Sequence, residues 1–429
     1  MTKDEILLAQ KEFLFPAVIT YFDEPLVIDH AKDQYVWDVD GNKYLDFFGG
    51  IVTVSVGHRN PKVTDAIHEQ ADKLHHVSTL FPTEPQVALA KRLAEISPER
   101  ALTKSFFTNS GTEANETAIS LARIHTGNTE IVALRHSYHG RSEAGRALTG
   151  HSPWRSPLPP AAGFVHAHNA YCYRCPFGLE YPSCELRCAT DMKELIETST
   201  SGKVAGLIAE PIQGVGGFIT PPKEFFSIVV DIVKQHGGIF ICDEVQTGWG
   251  RTGSKWFGIE HYGVTPDVMT FAKGLANGLP IGGTTAKPEV ADSMRFLTLS
   301  TFGGNPLSMA AAKAVIDYVE EENLMKNCED VGGYLRAGLE SLQEKYPIVG
   351  EVRGMGLMQA IELVKDRQSK EPAAAETRQL MDAARREGML VGRGGLYGNV
   401  IRISPPMNVG RRDVDEFLRL LDLAFAALT

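Results

Sequence analysis

Between about residue 104 and residue 285, short apolar runs alternate with amphipathic stretches of helical length. That alternation limits the possible folds more than any other feature of the chain. The runs 104–108, 131–135, 204–209, 238–242 and 268–271 are too continuously apolar to have one face in water. Helical periods over 113–123 and 224–236 lie between them, the second closed by Gly237-Gly238. Strands buried on both faces and joined by helices specify an α/β chain, with a mostly parallel central sheet and helices on both faces. Such sheets bind ligands outside the carboxyl ends of their strands. Chemistry is therefore expected just after each apolar run.

The flanks read differently. The first 58 residues read as short strands with glycine turns, and Asn60-Pro61 starts a helix as N-cap and first residue. After about 318, two helices surround a hairpin over 349–364, expected to turn at Arg353-Gly-Met-Gly356. The last helix carries Val414, Phe417, Leu418, Leu421 and Phe425 as one stripe. The expected division is an N-terminal segment 1–58 belonging to a smaller domain, a large α/β domain 59–318, and a C-terminal α+β domain 319–429. In 429 residues, 43 Lys and Arg stand against 53 Asp and Glu, a net charge of −10. That balance lacks the basic footprint of a nucleic-acid binder. No run of about 18 apolar residues suggests a membrane span. Without a signal-like start, the cytoplasm is the expected location.

Three segments carry the chemistry. In Phe106-Phe-Thr-Asn-Ser-Gly-Thr-Glu-Ala-Asn115 a strand ends, a Ser-Gly-Thr turn follows, and a helix begins at once. By itself this is an ordinary N-cap, the place Ser and Thr prefer; the alternative is a phosphate seat built of free amides at the positive end of a helix. In 238–248 a buried strand delivers Asp243 and Glu244 to its carboxyl end, as structural caps or with one acid facing a cation in the cleft. In 266–275 Lys273 follows an apolar strand and precedes Gly274, an odd place for a solvated ammonium; taken alone it reads as a lysine snorkelling from a strand end, the alternative being a buried amine of lowered pKa and raised nucleophilicity. A phosphate seat, an acid for a ring nitrogen and an amine for an aldehyde are together what pyridoxal 5′-phosphate (PLP) requires.

With these segments in view, the chain resembles the class III aminotransferases of PLP fold type I over nearly its whole length. The resemblance rests on Tyr44-Leu-Asp-Phe-Phe, Ser55-Val-Gly-His58, Asn109-Ser-Gly-Thr-Glu-Ala-Asn115, Tyr138-His-Gly140, Glu210-Pro-Ile-Gln-Gly214, Asp243-Glu-Val-Gln-Thr-Gly248, Lys273-Gly274, Thr301-Phe-Gly-Gly-Asn-Pro306 and Arg402-Ile-Ser-Pro-Pro406. Segments 47–58 and Val391-Gly-Arg-Gly look most like the alanine–glyoxylate aminotransferase type two subgroup.

The resemblance implies that Lys273 holds PLP as a Schiff base and Asp243 pairs with the pyridine nitrogen. It implies that Ser110, Gly111 and Thr112 seat the phosphate, that Tyr138 and Val245 cover the two ring faces, and that Gln246 approaches the phenolic oxygen. His139 and Glu210 join the cofactor-binding set. Thr301 reaches the phosphate of a neighbouring subunit in a homodimer or a dimer of dimers, and Arg402 clamps the substrate carboxylate. The implied activity is ping-pong transamination from an amino acid or ω-amino donor to glyoxylate or pyruvate; the alternative is a phospho-lyase acting on an amino-alcohol phosphate.

One departure stands out. Relatives using ω-amino donors often place an acid five residues after the Glu of Glu-Pro, where it pairs with the clamping Arg; here that position is Val215. Cys172, Cys175, Cys184 and Cys188 fall within 17 residues, a spacing that fits either a tetrahedral zinc site or a surface insertion of reduced thiols. No metal is assigned. His75-His76 read as a solvated helix end.

Overall fold

The computed structural model describes residues 1–155 and 157–428; Thr429, the last residue of the expected C-terminal unit, lies outside them. Seven strands form the central sheet in the order Lys104–Thr108, Gly282–Ala286, Val268–Ala272, Ile239–Asp243, Gly206–Ala209, Ile131–Leu134, Phe164–Ala167. The last five pair in parallel, and Gly282–Ala286 runs antiparallel to both of its neighbours. The parallel strands Ile131–Leu134, Gly206–Ala209, Ile239–Asp243 and Val268–Ala272 are buried at every position, as their apolar runs required. Helices Gly111–Thr126, Arg187–Ser199 and Phe225–Gln235 cover the sheet.

Gly282–Ala286, absent from the sequence reading, is informative. Gly-Gly-Thr-Thr-Ala has little strand character by composition. A Cβ on Gly282 would stand 2.3 Å from the Ser110 carbonyl oxygen, and one on Gly283 2.4 Å from the Phe271 ring. The strand is bare because it presses against the turn that opens the site.

A second sheet joins the two ends of the chain. Ile28–Lys32, Tyr35–Asp38 and Lys43–Asp46 form an antiparallel meander completed by the parallel strand Met389–Leu390. Phe47 stacks on Phe417 of the final helix at 4.2 Å between ring centroids. A third, antiparallel sheet orders Val349–Met355, Met358–Leu363, Val400–Ile403 and Gly392–Gly394. Helices Leu324–Lys345, Ala374–Arg386 and Arg411–Ala426 pack with it. Val414, Phe417, Leu421 and Phe425 are buried, as the stripe demanded.

Two expectations need correction. Residues 1–58 are not strands throughout: Lys3–Phe13 is a helix, started by Thr2 with Glu5 closing a reciprocal capping box, and none of its residues is buried. The hairpin turns two residues later than expected, at Gly356-Leu357, because Met355 pairs with Met358. Gly356 takes φ +52° there, and a Cβ would stand 2.5 Å from the Arg251 carbonyl oxygen.

Candidate active site

The turns leaving five strands of the central sheet converge on a cavity of about 370 Å³, lined by Ser110, Gly111, Thr112, Tyr138, His139, Glu210, Asp243, Val245, Gln246 and Lys273 among others. Ser110 is the N-cap of Gly111–Thr126, and its hydroxyl accepts the Glu113 amide at 3.3 Å. The ordinary cap is thus real. It leaves the Gly111 and Thr112 amides without a protein partner among the described residues, at the positive end of a sixteen-residue helix. A Cβ on Gly111 would approach Val245 to 3.0 Å, so a bare residue is needed where turn and wall meet.

The two acids separate cleanly. Asp243 ends its strand inside the cavity. Its Oδ2 accepts from Asn115 Nδ2 at 2.9 Å and His139 Nδ1 at 2.8 Å, and its Oδ1 accepts the Val245 amide at 3.1 Å. Asn115 is itself fixed, donating also to the His139 carbonyl and accepting from Thr270 Oγ1 at 2.7 Å. Glu244 points away, accepting the Gly258 and Ile259 amides at 3.0 and 2.8 Å and the Thr247 hydroxyl. It is a buried brace for the 258–262 turn, and Asp243 alone serves the cavity.

Lys273 follows the last residue of Val268–Ala272 with φ +49°, a left-handed conformation that costs a non-glycine residue energy. Its amine makes no hydrogen bond among the described residues, and burial pulls its pKa down to about 8 against the opposing pull of Asp243 and Glu210. Glu210 accepts the Tyr138 amide at 3.0 Å and the Gly214 amide at 2.8 Å. Burial, with Asp243 adding to it, pushes this acid up to about 7.

A second cavity of about 1350 Å³ shares Tyr138, Gln246 and Lys273 with the first and extends to Phe48, Trp154, Val215 and Arg402. Arg402 comes from Val400–Ile403. Its Nε donates to the Arg393 carbonyl at 3.1 Å and Nη1 to the Gly214 carbonyl at 3.4 Å, and the guanidinium lies 5.2 Å from the Phe48 ring centroid. Among the described residues no carboxylate lies within ion-pair distance of it. Gly394 leaves room for this side chain, since a Cβ there would meet Arg402 Cδ at 2.9 Å.

Every cofactor candidate from the sequence except Thr301 therefore lines the first cavity. Thr301 is exposed and lines neither. Sequence reasoning left Asn115, Phe48 and Trp154 without roles. The available signal for Asn115 was a polar residue on the helix face otherwise formed by Ala114, Ala118 and Ile119. The four clustered cysteines are free thiols ranging from exposed to buried, and no group of three His, Cys, Asp or Glu suited to a metal occurs among the described residues. His75 and His76 lie exposed beyond the helix Pro61–Lys73.

Open amides at a helix start, an unbonded lysine amine, a braced carboxylate and the buried, unpartnered Oε1 of Gln246 fit a phosphorylated aromatic aldehyde. Fold and site together define a PLP-dependent enzyme of fold type I. The family model for aminotransferase class III matches residues 20–425, and the chain belongs to that family. It is 41% identical over 99% of its length to an alanine–glyoxylate aminotransferase 2 homolog of Arabidopsis thaliana, covering 88% of that protein. It is 40% identical to a leucine/methionine racemase of Thermococcus litoralis, covering 99% of this chain and 96% of that one. Its fold matches the PLP-bound structure of an amine transaminase from an uncultivated Pseudomonas species with TM-score 0.91, at 33% identity over 97% of this chain and 98% of that one. The protein is a PLP-dependent aminotransferase; the phospho-lyase alternative is not favoured by these relatives.

Proposed function

We propose that the enzyme transfers an amino group from an amino acid or ω-amino donor to a small 2-oxo acid, glyoxylate or pyruvate. The observation that carries this reading is Arg402, a guanidinium with no acidic partner among the described residues, on the wall of a cavity that also reaches Lys273. The name of the Arabidopsis relative supports the choice of acceptor.

When bound, PLP supplies an aldehyde for the amino group and a ring that takes up electrons from the α-carbon. This chain's residues do the rest. Lys273 would hold the cofactor through its aldehyde, and its amine, when free, would take the donor's α-proton and return it to the aldehyde carbon. Asp243 keeps a proton on the ring nitrogen, and Asn115 and His139 hold it in place for that task. The Gly111 and Thr112 amides and the Ser110 and Thr112 hydroxyls bind the phosphate. Tyr138 and Val245 cover the ring faces, and Gln246 approaches the phenolic oxygen. Glu210 positions Tyr138 and the 214 loop through their amides. Thr301, exposed in one chain, reaches the phosphate of a second subunit in a homodimer. Domain limits at 58/59 and 318/319 belong to the same reading.

The test is a screen of donors against acceptors followed by cofactor absorbance. A competent donor should bleach the band near 400 nm, and glyoxylate or pyruvate should restore it stoichiometrically. Restoration by neither acid, with recovery by a dicarboxylic oxo acid alone, would refute the acceptor assignment.

A further inference from the structure

His151 stands between the helix Glu143–Leu148 and the short turn Ser152–Trp154, in the wall of the larger cavity alongside Val215, Gly395 and Arg402. It is 2% exposed. Neither ring nitrogen has a hydrogen-bond partner of ordinary geometry among the described residues, although the Gly395 backbone lies close enough to raise the ring's pKa. An unsatisfied buried polar group costs about 1–3 kcal/mol. Native structures rarely retain one unless a ligand or water completes it.

The surroundings say which ligand. Burial, with the charges of His136 and Arg402 nearby, pulls the His151 ring down to about 4, so it is neutral at physiological pH. A neutral imidazole offers one N–H donor and one acceptor. Arg402 spends Nε and Nη1 on two carbonyls and keeps Nη2 free among the described residues. A carboxylate on that free edge still has lone pairs to satisfy. A second cation beside Arg402 would repel it, whereas a neutral N–H adds a hydrogen bond without that repulsion.

We infer that His151 is a specificity-determining residue, a second donor to the carboxylate held by Arg402, so that carboxylate-bearing substrates are favoured over neutral isosteres. The inference rests on the reading of Arg402 as the carboxylate clamp.

The experiment measures binding of propanoate and of its neutral isostere propanamide to the PLP-loaded enzyme by calorimetry, in wild type, His151→Phe, His151→Gln and Arg402→Gln. His151→Phe should weaken propanoate about tenfold or more, the loss of a hydrogen bond to a charged group. Propanamide should change less than about twofold, and His151→Gln, which keeps an N–H donor, should restore most of the propanoate binding. If His151→Phe does not retain the cofactor band, His151→Leu replaces it. Equal losses for both probes, unchanged propanoate binding, or no rescue by Gln overturns the inference and leaves a trapped water as the occupant. Unchanged propanoate binding in Arg402→Gln refutes the clamp itself; impaired Arg402→Gln beside unchanged His151→Phe refutes only the role of His151.

Discussion

The two cavities that meet at Lys273 are built on opposite plans. The smaller is walled by strand ends and a helix start of the central sheet, and its key acid is fully braced: Asp243 accepts three hydrogen bonds, one from Asn115, which Thr270 fixes in turn. The larger is walled by the third sheet, the N-terminal segment and the 138–155 region, and two of its polar groups are left open among the described residues: Arg402 without an acid and His151 without a side-chain partner. The difference separates two duties. A reacting centre needs groups fixed before the substrate arrives, because reorganisation during the reaction raises the barrier. A substrate pocket needs groups whose bonds are completed only by the ligand, since those bonds discriminate between ligands.

Breaking the braced side should have the largest effect. Lys273→Ala removes both the anchor and the proton carrier, so transamination should fall below about a thousandth of wild type; loss of a general base alone costs roughly 10²–10⁴-fold. Activity above that level, measured with saturating donor and pyruvate, would falsify the assignment.

A pH measurement sharpens the same side. Burial disfavours the Lys273 ammonium and lowers its pKa to about 8. The free amine is thus lost as pH falls through 8, not through the ordinary value of 10.5. Cofactor uptake by apoenzyme, an attack by that amine, should be half-maximal near pH 8 and roughly three-hundredfold faster at pH 7 than an unshifted lysine allows. A midpoint above 10 contradicts the buried amine.

Smaller still is the effect expected on the open side. Val215→Glu introduces a carboxylate beside Arg402, and such a pair attracts by a few kcal/mol at an effective dielectric of about 20. An entering substrate carboxylate must displace it. The ratio of kcat/KM for pyruvate to that for an uncharged amine should fall about tenfold or more. An unchanged ratio means that position 215 does not reach the guanidinium.

Asn115→Ala tests whether bracing matters beyond bonding energy. It removes one of the two side-chain donors to Asp243 Oδ2 and should lower stability by about 1–3 kcal/mol. In hydrogen–deuterium exchange of the donor's α-proton, a larger loss than the same substitution causes in cofactor affinity is expected. Proportional losses reduce Asn115 to a packing residue.

Much of the braced side was legible in the chain. Strand, turn and helix starts follow continuous apolar runs and a helical period of 3.6 residues, so Ser110, Asp243 and Lys273 could be placed at strand ends from the sequence alone. The open side was less legible: His151 looks like any polar loop residue, and Gly392–Gly394 looks like a turn although it is a strand beside Arg402.

The sequence by itself determined the parallel sheet, the position of the lysine after its strand and the Ser-Gly-Thr turn that opens a helix, because each depends on neighbours a few residues away. Tertiary structure decided which of two adjacent acids serves the cavity. Asp243 meets Asn115, 128 residues earlier, and His139, 104 residues earlier, whereas Glu244 turns to amides 14 and 15 residues later. It also decided that Arg402 has no carboxylate partner among the described residues, its Nη1 donating instead to the carbonyl of Gly214, 188 residues away. Alternation along a strand sends two neighbours to opposite faces, but only the packed sheet fixes which face is the site.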